Sequence, residues 1–228
     1  MFSCLVRAGM DRRTLLSTAL AAGGVIVSGC IGDAGSGSPE DSDDDDNGTT
    51  ADDVDTNDME GYIEPDGEPP NVPVAFECET DDLHRIYENM FEPDDIVLGA
   101  SGGFGLRIDQ PAFTFGETAS ITLENLTDEP QSSGVQDKIA ILVYTENGWS
   151  DVRATPSGLA DIHDDTVSHE PGEGFEWEME LSAAGIRDVS IAYDGLDVCP
   201  DLIDGRYRFV FWGIPGEDHL AVEFDLTE

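Results

Sequence analysis

Seven consecutive residues constrain the fold more than anything else in the chain. In Phe175-Glu176-Trp177-Glu178-Met179-Glu180-Leu181 every second side chain is apolar and every intervening one is a glutamate. A period of two puts the apolar groups on one face and the carboxylates on the other, as a half-buried strand requires. A helix would scatter the same four apolar side chains around its circumference. The period recurs at Phe104, Leu106 and Ile108, and at Ala119, Ile121 and Leu123. Tyr207, Phe209 and Phe211 alternate with Arg206, Arg208 and Val210, and Leu220, Val222, Phe224 and Leu226 with Ala221, Glu223 and Asp225. Residues 139–144 are a continuous apolar run, as in a strand buried on both sides. Residues 213–217, with Pro215 and Gly216, supply the turn between the last two strands. Short alternating strands separated by turn signals predict an all-β fold, an antiparallel β-sandwich. One helix is expected, over residues 80–91. There Thr80 can cap, Asp81 and Asp82 suit the positive end, and Leu83, Ile86, Tyr87 and Met90 recur at helical spacing.

Aromatic content marks where the domain lies. Residues 74–228 hold 16 of the 18 Phe, Trp and Tyr, and a unit of that size buries roughly 70% of its unfolded surface. Residues 31–73 contain 15 Asp or Glu, no Arg or Lys, and Tyr62 as their only aromatic. Such a segment has too little apolar surface to offset its ordering entropy, and its charges repel one another. It reads as a disordered acidic stalk. Asp43-x-Asp45-x-Asn47-Gly48 imitates the first half of a calcium loop, but Val54 stands where the bidentate glutamate belongs. Asn47 and Asn125 each open an Asn-x-Thr glycosylation pattern.

The first thirty residues read as an address. Arg12 and Arg13 precede an apolar run from Leu15 to Gly29, which is 15 residues and too short for a membrane span of about 20. The Arg pair resembles a twin-arginine export signal, and Val27-Ser28-Gly29-Cys30 resembles a lipobox. By that resemblance the chain is cut before Cys30 and its thiol is lipidated, which anchors the protein to the outer face of the cytoplasmic membrane. Met1 and Met10 are both candidate starts, and Met10 leaves everything such a signal needs. Removal of the signal leaves Cys78 and Cys199. In an exported protein two thiols are most simply one disulfide, the alternative being two free buried cysteines.

Leu202-x-Asp204-Gly205-x-Tyr207 has the form of a tyrosine corner, in which Tyr207 bonds back to the backbone upstream. Glu124-Asn125-Leu126-Thr127, then Val143-Tyr144-x-x-Asn147-Gly148-Trp149-x-x-Val152, then Glu170-Pro171-Gly172-Glu173 with Trp177 and Leu181, and finally Leu202-x-x-Gly205-Arg206-Tyr207-Arg208-Phe209-Val210 together resemble an immunoglobulin-like domain of bacterial and archaeal surface lipoproteins. The resemblance covers about residues 100–226. The whole layout is similar to twin-arginine-exported lipoproteins of halophilic archaea. It implies an immunoglobulin-like sandwich with no catalytic residues to carry over. The sequence departs from the pattern in an N-terminal extension holding Cys78 and in an insertion over residues 183–200 holding Cys199.

The search for chemistry returns little. Cys78-x5-His84-x5-Met90 is not a blue-copper set, because no histidine precedes Cys78. Asp161, His163, Asp165 and His169 form an acidic, histidine-bearing loop whose spacing suits a divalent cation, though a solvated loop has the same composition. Ser101 and Ser157 lack the Gly-x-Ser-x-Gly elbow of a hydrolase. Gly99 to Gly105 has no lysine and no following helix, so it is not a phosphate loop. No cofactor is expected.

Charge sets the remaining limits. The chain has 50 acidic and 10 basic residues and a net charge of −40. A nucleic-acid backbone or an anionic lipid surface would be repelled. The sequence therefore predicts a non-enzymatic surface protein, held to the membrane through lipid at Cys30, whose loops 127–138 and 153–174 meet an extracellular protein or solute. The alternative is a solute- or metal-binding accessory protein using residues 161–170. Dense carboxylates over the folded part as well as the stalk point to a saline habitat.

Overall fold

The computed structural model describes residues 62–78, 82–86, 95–158, 163–190, 195–216 and 219–228. The export signal with Arg12, Arg13 and Cys30, most of the acidic stalk including Asn47, and Asp161 lie outside them. In chain order the strands are β1 (His84–Arg85), β2 (Ile96–Leu98), β3 (Ala100–Ser101), β4 (Phe104–Ile108), β5 (Ala112–Thr114), β6 (Thr118–Asn125), β7 (Gln131–Gly134), β8 (Ile139–Thr145), β9 (Gly148–Asp151), β10 (Arg153–Thr155), β11 (Thr166–His169) and β12 (Gly174–Glu180). Helix α1 (Ala183–Val189) follows, then β13 (Asp197–Val198), β14 (Gly205–Phe211) and β15 (His219–Thr227).

Two sheets form the sandwich. One runs β12-β6-β4-β3, the other β2-β15-β14-β8-β9, with β5 also on β15. The alternation read from the sequence is the burial pattern. In β12 Trp177 and Met179 are buried and the three glutamates exposed; in β6 Ala119, Ile121, Leu123 and Asn125 are buried. Ile141, Val143, Phe209, Phe211, Val222 and Phe224 meet them from the second sheet. The order of β6 beside β12 and of β8, β14 and β15 side by side is that of strands B–E and C–F–G in an immunoglobulin-like sandwich. Tyr207 donates its hydroxyl to Ile203 O at 2.8 Å and accepts from Ile203 N at 3.1 Å, closing a tyrosine corner.

The pairing is not wholly antiparallel. The nine-residue β15 takes β2 along its first third and β5 along its last third, both parallel. Between those two strands the chain visits the opposite sheet as β3 and β4, so one long edge is covered in two pieces.

The helix expected over residues 80–91 does not form where that stretch is described. His84–Arg85 instead pairs with β10, and β10 pairs with β13. Tertiary contacts override the local capping signal. The Arg85 guanidinium donates to Asp151 O and Phe76 O, and it lies over the Phe76 ring, while Ile86 is fully buried. The helix that is present, α1, lies in the insertion, where Ser182 accepts from Gly185 N. Cys78 and Cys199 are joined by a disulfide that ties the extension to the insertion.

The folded part also begins earlier than residue 74. Tyr62 packs against the core, Gly67 O accepts from Arg206, Asn71 donates to Asp204 O, and Pro73 O accepts from Glu146 N. Arg206 and Arg208 alternate with the buried Tyr207 and Phe209 on β14 and so point outward. Residues 62–73, read as stalk on their charge and low apolar content, thus lie along the outer face of the β14–β15 pair.

Candidate functional site

The loops 127–138 and 153–174 come together at β7 and β11, which pair over Gln131–Gly134 and Thr166–His169. This two-stranded ribbon is held to the sandwich by Gly134 N donating to Gly213 O. Asn125 fixes its base. The buried amide of Asn125 donates to Glu129 O at 2.8 Å and His169 O at 3.0 Å, and its carbonyl accepts from the Thr127 backbone and hydroxyl. The Asn-Leu-Thr sequence read as a glycosylation pattern is therefore a turn whose amide nitrogen is engaged in the fold.

The four residues of the candidate cation loop are not brought together where they are described. His163 and Asp165 are exposed, whereas His169 is only 3% exposed. Its place in β11 turns the ring inward, edge-on to Phe104 at 5.6 Å and Phe175 at 4.7 Å between centroids. Asp164, between His163 and Asp165, instead pairs with Lys138 at 3.1 Å. Among the described residues no group of three His, Cys, Asp or Glu is placed to hold a metal ion.

His169 nevertheless lines a groove of about 730 Å³ that runs between β11, the turn at residues 170–173 and the outer side of β6 and β12. Thr122 and Glu124 come from β6, Phe175 and Glu176 from β12, and Ser168 from β11. Gln136 closes one end by donating to Glu176 O at 2.7 Å, while Trp177 Nε1 donates to Gln136 O at 3.3 Å. At the other end Gly172 N donates to Asn125 O and Glu173 N to Glu170 O, which sets the turn. Gly174 must be glycine, because a Cβ there would sit 1.7 Å from Leu123 O.

The hydrogen bonds fix the tautomer of His169. Ser133 Oγ lies 2.8 Å from His169 Nε2 and 2.9 Å from Gly134 O. A carbonyl only accepts, so the single hydroxyl hydrogen goes to Gly134 O, and Nε2 carries a hydrogen donated to Ser133. Nδ1 is then the acceptor nitrogen. A Ser–His pair so arranged is not a nucleophile and base: the serine is fully buried and the facing nitrogen is already protonated. Burial pulls the His169 imidazole below its ordinary value, against an upward pull from Glu173.

Sequence reasoning named His169 and the two loops but missed the groove. The available signals were Gly172 and Gly174 around Glu173, since glycine at a strand start marks close backbone approach.

No family model and no curated protein matches the sequence. Among solved structures, the alkylpurine DNA glycosylase AlkC of Pseudomonas fluorescens bound to DNA containing an abasic site analog is 16% identical, with a TM-score of 0.29 over 57% of this chain and 32% of that one. The β-glucosidase of Listeria innocua in complex with isofagomine is 16% identical, with a TM-score of 0.28 over 55% of this chain and 16% of that one. The chain spans about a third or less of the length of these proteins. Likeness at this level carries no functional argument.

Proposed function

We propose that the chain is a non-enzymatic surface protein, anchored through lipid at Cys30, whose sandwich is displayed on an acidic tether and binds with the groove between β11 and β12. The observation that carries this reading is the placement of the groove relative to the tether side. Residues 62–73 lie along the outer face of the β14–β15 pair, whereas the groove opens on the β6–β12 sheet, the opposite layer of the sandwich. A domain held from the first face leaves the second one free. The ordered export signals, with Arg12 and Arg13 ahead of a 15-residue apolar run that ends at Cys30, support delivery to the surface.

Labelling of intact cells with a membrane-impermeant amine or carboxylate reagent tests the reading. Modification of the domain, with release of the protein from membranes in Cys30→Ala, is the expected result. A protected domain, or a cytosolic pool unchanged by Cys30→Ala, overturns it. No observation favours the metal-binding alternative, since His163, Asp165 and His169 do not converge.

A further inference from the structure

Among the described residues, β12 has the longest open edge. It ends the sheet β12-β6-β4-β3 and is seven residues long, whereas β3 at the opposite end has two and β9 at the edge of the second sheet has four. The ladder bonds show which of its backbone groups are spent. Asp109 N donates to Ser120 O and Leu126 N to Gly103 O, so the even-numbered residues along β6 serve β4. Asn125 N donates to Glu173 O and Leu181 N to Glu117 O, so the odd-numbered ones serve β12. In the observed register their partners within the strand are Phe175, Trp177 and Met179. The N–H and C=O groups of Glu176, Glu178 and Glu180 therefore point away from the sheet. Two of them are occupied. Glu176 O accepts from the Gln136 side chain at 2.7 Å, and Glu180 O accepts from Ser182 N at 2.8 Å. The Gln136 amide thus stands where the N–H of a neighbouring strand would. Glu176 N, Glu178 N, Glu178 O and Glu180 N have no partner among the described residues.

We infer that this edge takes up an extended segment of a partner protein as an added strand, with lysine or arginine at every second position. The backbone of Glu176, Glu178 and Glu180 offers such a segment three donors and one acceptor, and an antiparallel strand centred on Glu178 meets all four. Its residues opposite Glu176, Glu178 and Glu180 lie on the face that carries the three exposed carboxylates. Cationic side chains there meet opposite charges across the ladder. The intervening positions stand beside Trp177 and Met179, where β-branched side chains fit a pleated rim. Charge complementarity selects the occupant. A second copy of β12 would set glutamate against glutamate, which the row disfavours, whereas a basic strand is drawn to it. The Gly174–Glu176 end of the edge borders the groove, so the inference rests on the reading of the domain as a binding module and names the class of its partner.

Amide NMR on the nitrogen-15-labelled full chain tests the inference. The probe is the blocked peptide acetyl-Thr-Lys-Val-Lys-Val-Lys-Thr-amide. A background of about 1 M NaCl shortens the Debye length to about 3 Å and suppresses diffuse attraction to a chain of net charge −40. The expected result is saturable one-to-one binding in the millimolar range, with shifts centred on β12. At saturation the exchange of the Glu178 amide with solvent slows about fivefold or more, because its N–H has entered a ladder. Methylation of the central lysine's amide nitrogen, which removes the donor to Glu178 O and crowds the edge, weakens binding at least about tenfold. A peptide of the same composition with its three lysines in one block binds at least about fivefold more weakly, since it has the charge without the period. Glu178→Gln, an exposed change, weakens binding about two- to fivefold. The inference is overturned if no saturable shift appears up to about 10 mM peptide. It is also overturned if the N-methylated or block peptide binds as well as the probe, which leaves charge attraction alone. A dimer of the chain that protects the Glu178 amide without peptide assigns the edge to a second copy and overturns it too. None of these failures bears on surface display, which the labelling of intact cells decides separately.

Discussion

Asp151 and Arg153 form a paired set of hydrogen bonds with both side chains closed off from solvent. Arg153 Nε lies 3.0 Å from Asp151 Oδ1 and Nη2 lies 2.9 Å from Oδ2, and the side chains are 0% and 2% exposed. Desolvation pushes the Asp151 carboxyl above its usual range, against the pull of Arg153. The rest of the guanidinium serves Ile139 O and Ser190 Oγ, so one side chain joins β10, β8 and the end of α1. Arg153→Met removes the cation and leaves the carboxylate buried without its partner. The expected cost is about 3–5 kcal/mol, read as a lower midpoint in urea. Arg153→Met combined with Asp151→Leu is expected to recover part of that loss, because no charge then remains to be desolvated. A double variant as unstable as the sum of the single ones contradicts this account.

The Cys78–Cys199 bridge stands at the outer end of the same region. It joins positions 121 residues apart, and Cys199 N donates to Val152 O beside the ion pair. The chain-entropy model assigns loops of this length about 4–5 kcal/mol. Cys78→Ser with Cys199→Ser, or reduction of the wild-type chain, is expected to lower stability by up to that amount. The loss should appear first as faster amide exchange in β1, β10 and β13, the small sheet that the bridge closes. Unchanged exchange in those strands after reduction refutes the role.

His169 makes stability depend on mild acid. Its folded value lies below the ordinary value of 6.5 because of burial, with Glu173 opposing. The unfolded chain therefore takes up a proton at higher pH than the folded one does. The contribution to stability is complete above the unfolded value near 6.5, and it is lost as pH falls through the lower folded value. Urea midpoints measured across that window should slope downward towards acid in the wild type, and the slope should flatten in His169→Phe. An identical slope in both proteins assigns the effect to other groups.

The sandwich was legible because its strands bury one face each. The period-two runs at Phe104–Ile108, Thr118–Asn125, Gly174–Glu180 and Gly205–Phe211 are the strands, with boundaries within about two residues. Two features were not legible. His84–Arg85 reads as helix because residues 80–91 carry a good cap and helical spacing. What decides its state is the reach of Arg85 to Asp151 O and Phe76 O, and β10 is far away in sequence. The groove was hidden for a related reason. Asp161, His163, Asp165 and His169 are a cluster in sequence, but the turn of β11 buries the last and exposes the second and third. The carboxylate that does act on His169 is that of Glu173, in the turn after β11, and the groove that His169 lines also takes residues from β6 and β12. Sequence proximity identified the histidine and gave it the wrong neighbours.

Salt should stabilise this fold, and the structure explains why internal pairing cannot substitute for it. Residues 74–228 carry a net charge of −27 with seven basic side chains. Six of those are in ion pairs with Glu124, Asp164, Asp151, Asp197, Asp225 and Glu223, and the seventh, Arg85, is engaged at backbone carbonyls. The carboxylates so outnumber the cations that rows of like charge are left on the surface, such as Glu176, Glu178 and Glu180, exposed along β12 about 7 Å apart. The Debye length is about 10 Å at 0.1 M salt and about 3 Å at 1 M, so repulsion across that row is felt in dilute buffer and screened in concentrated salt. The melting temperature is expected to rise with NaCl, most steeply below about 1 M. Glu178→Lys, placed in the middle of the row, should raise it at low salt and have little effect at high salt. A melting temperature independent of salt, or a lysine effect equal at both extremes, rules out self-repulsion as the cause.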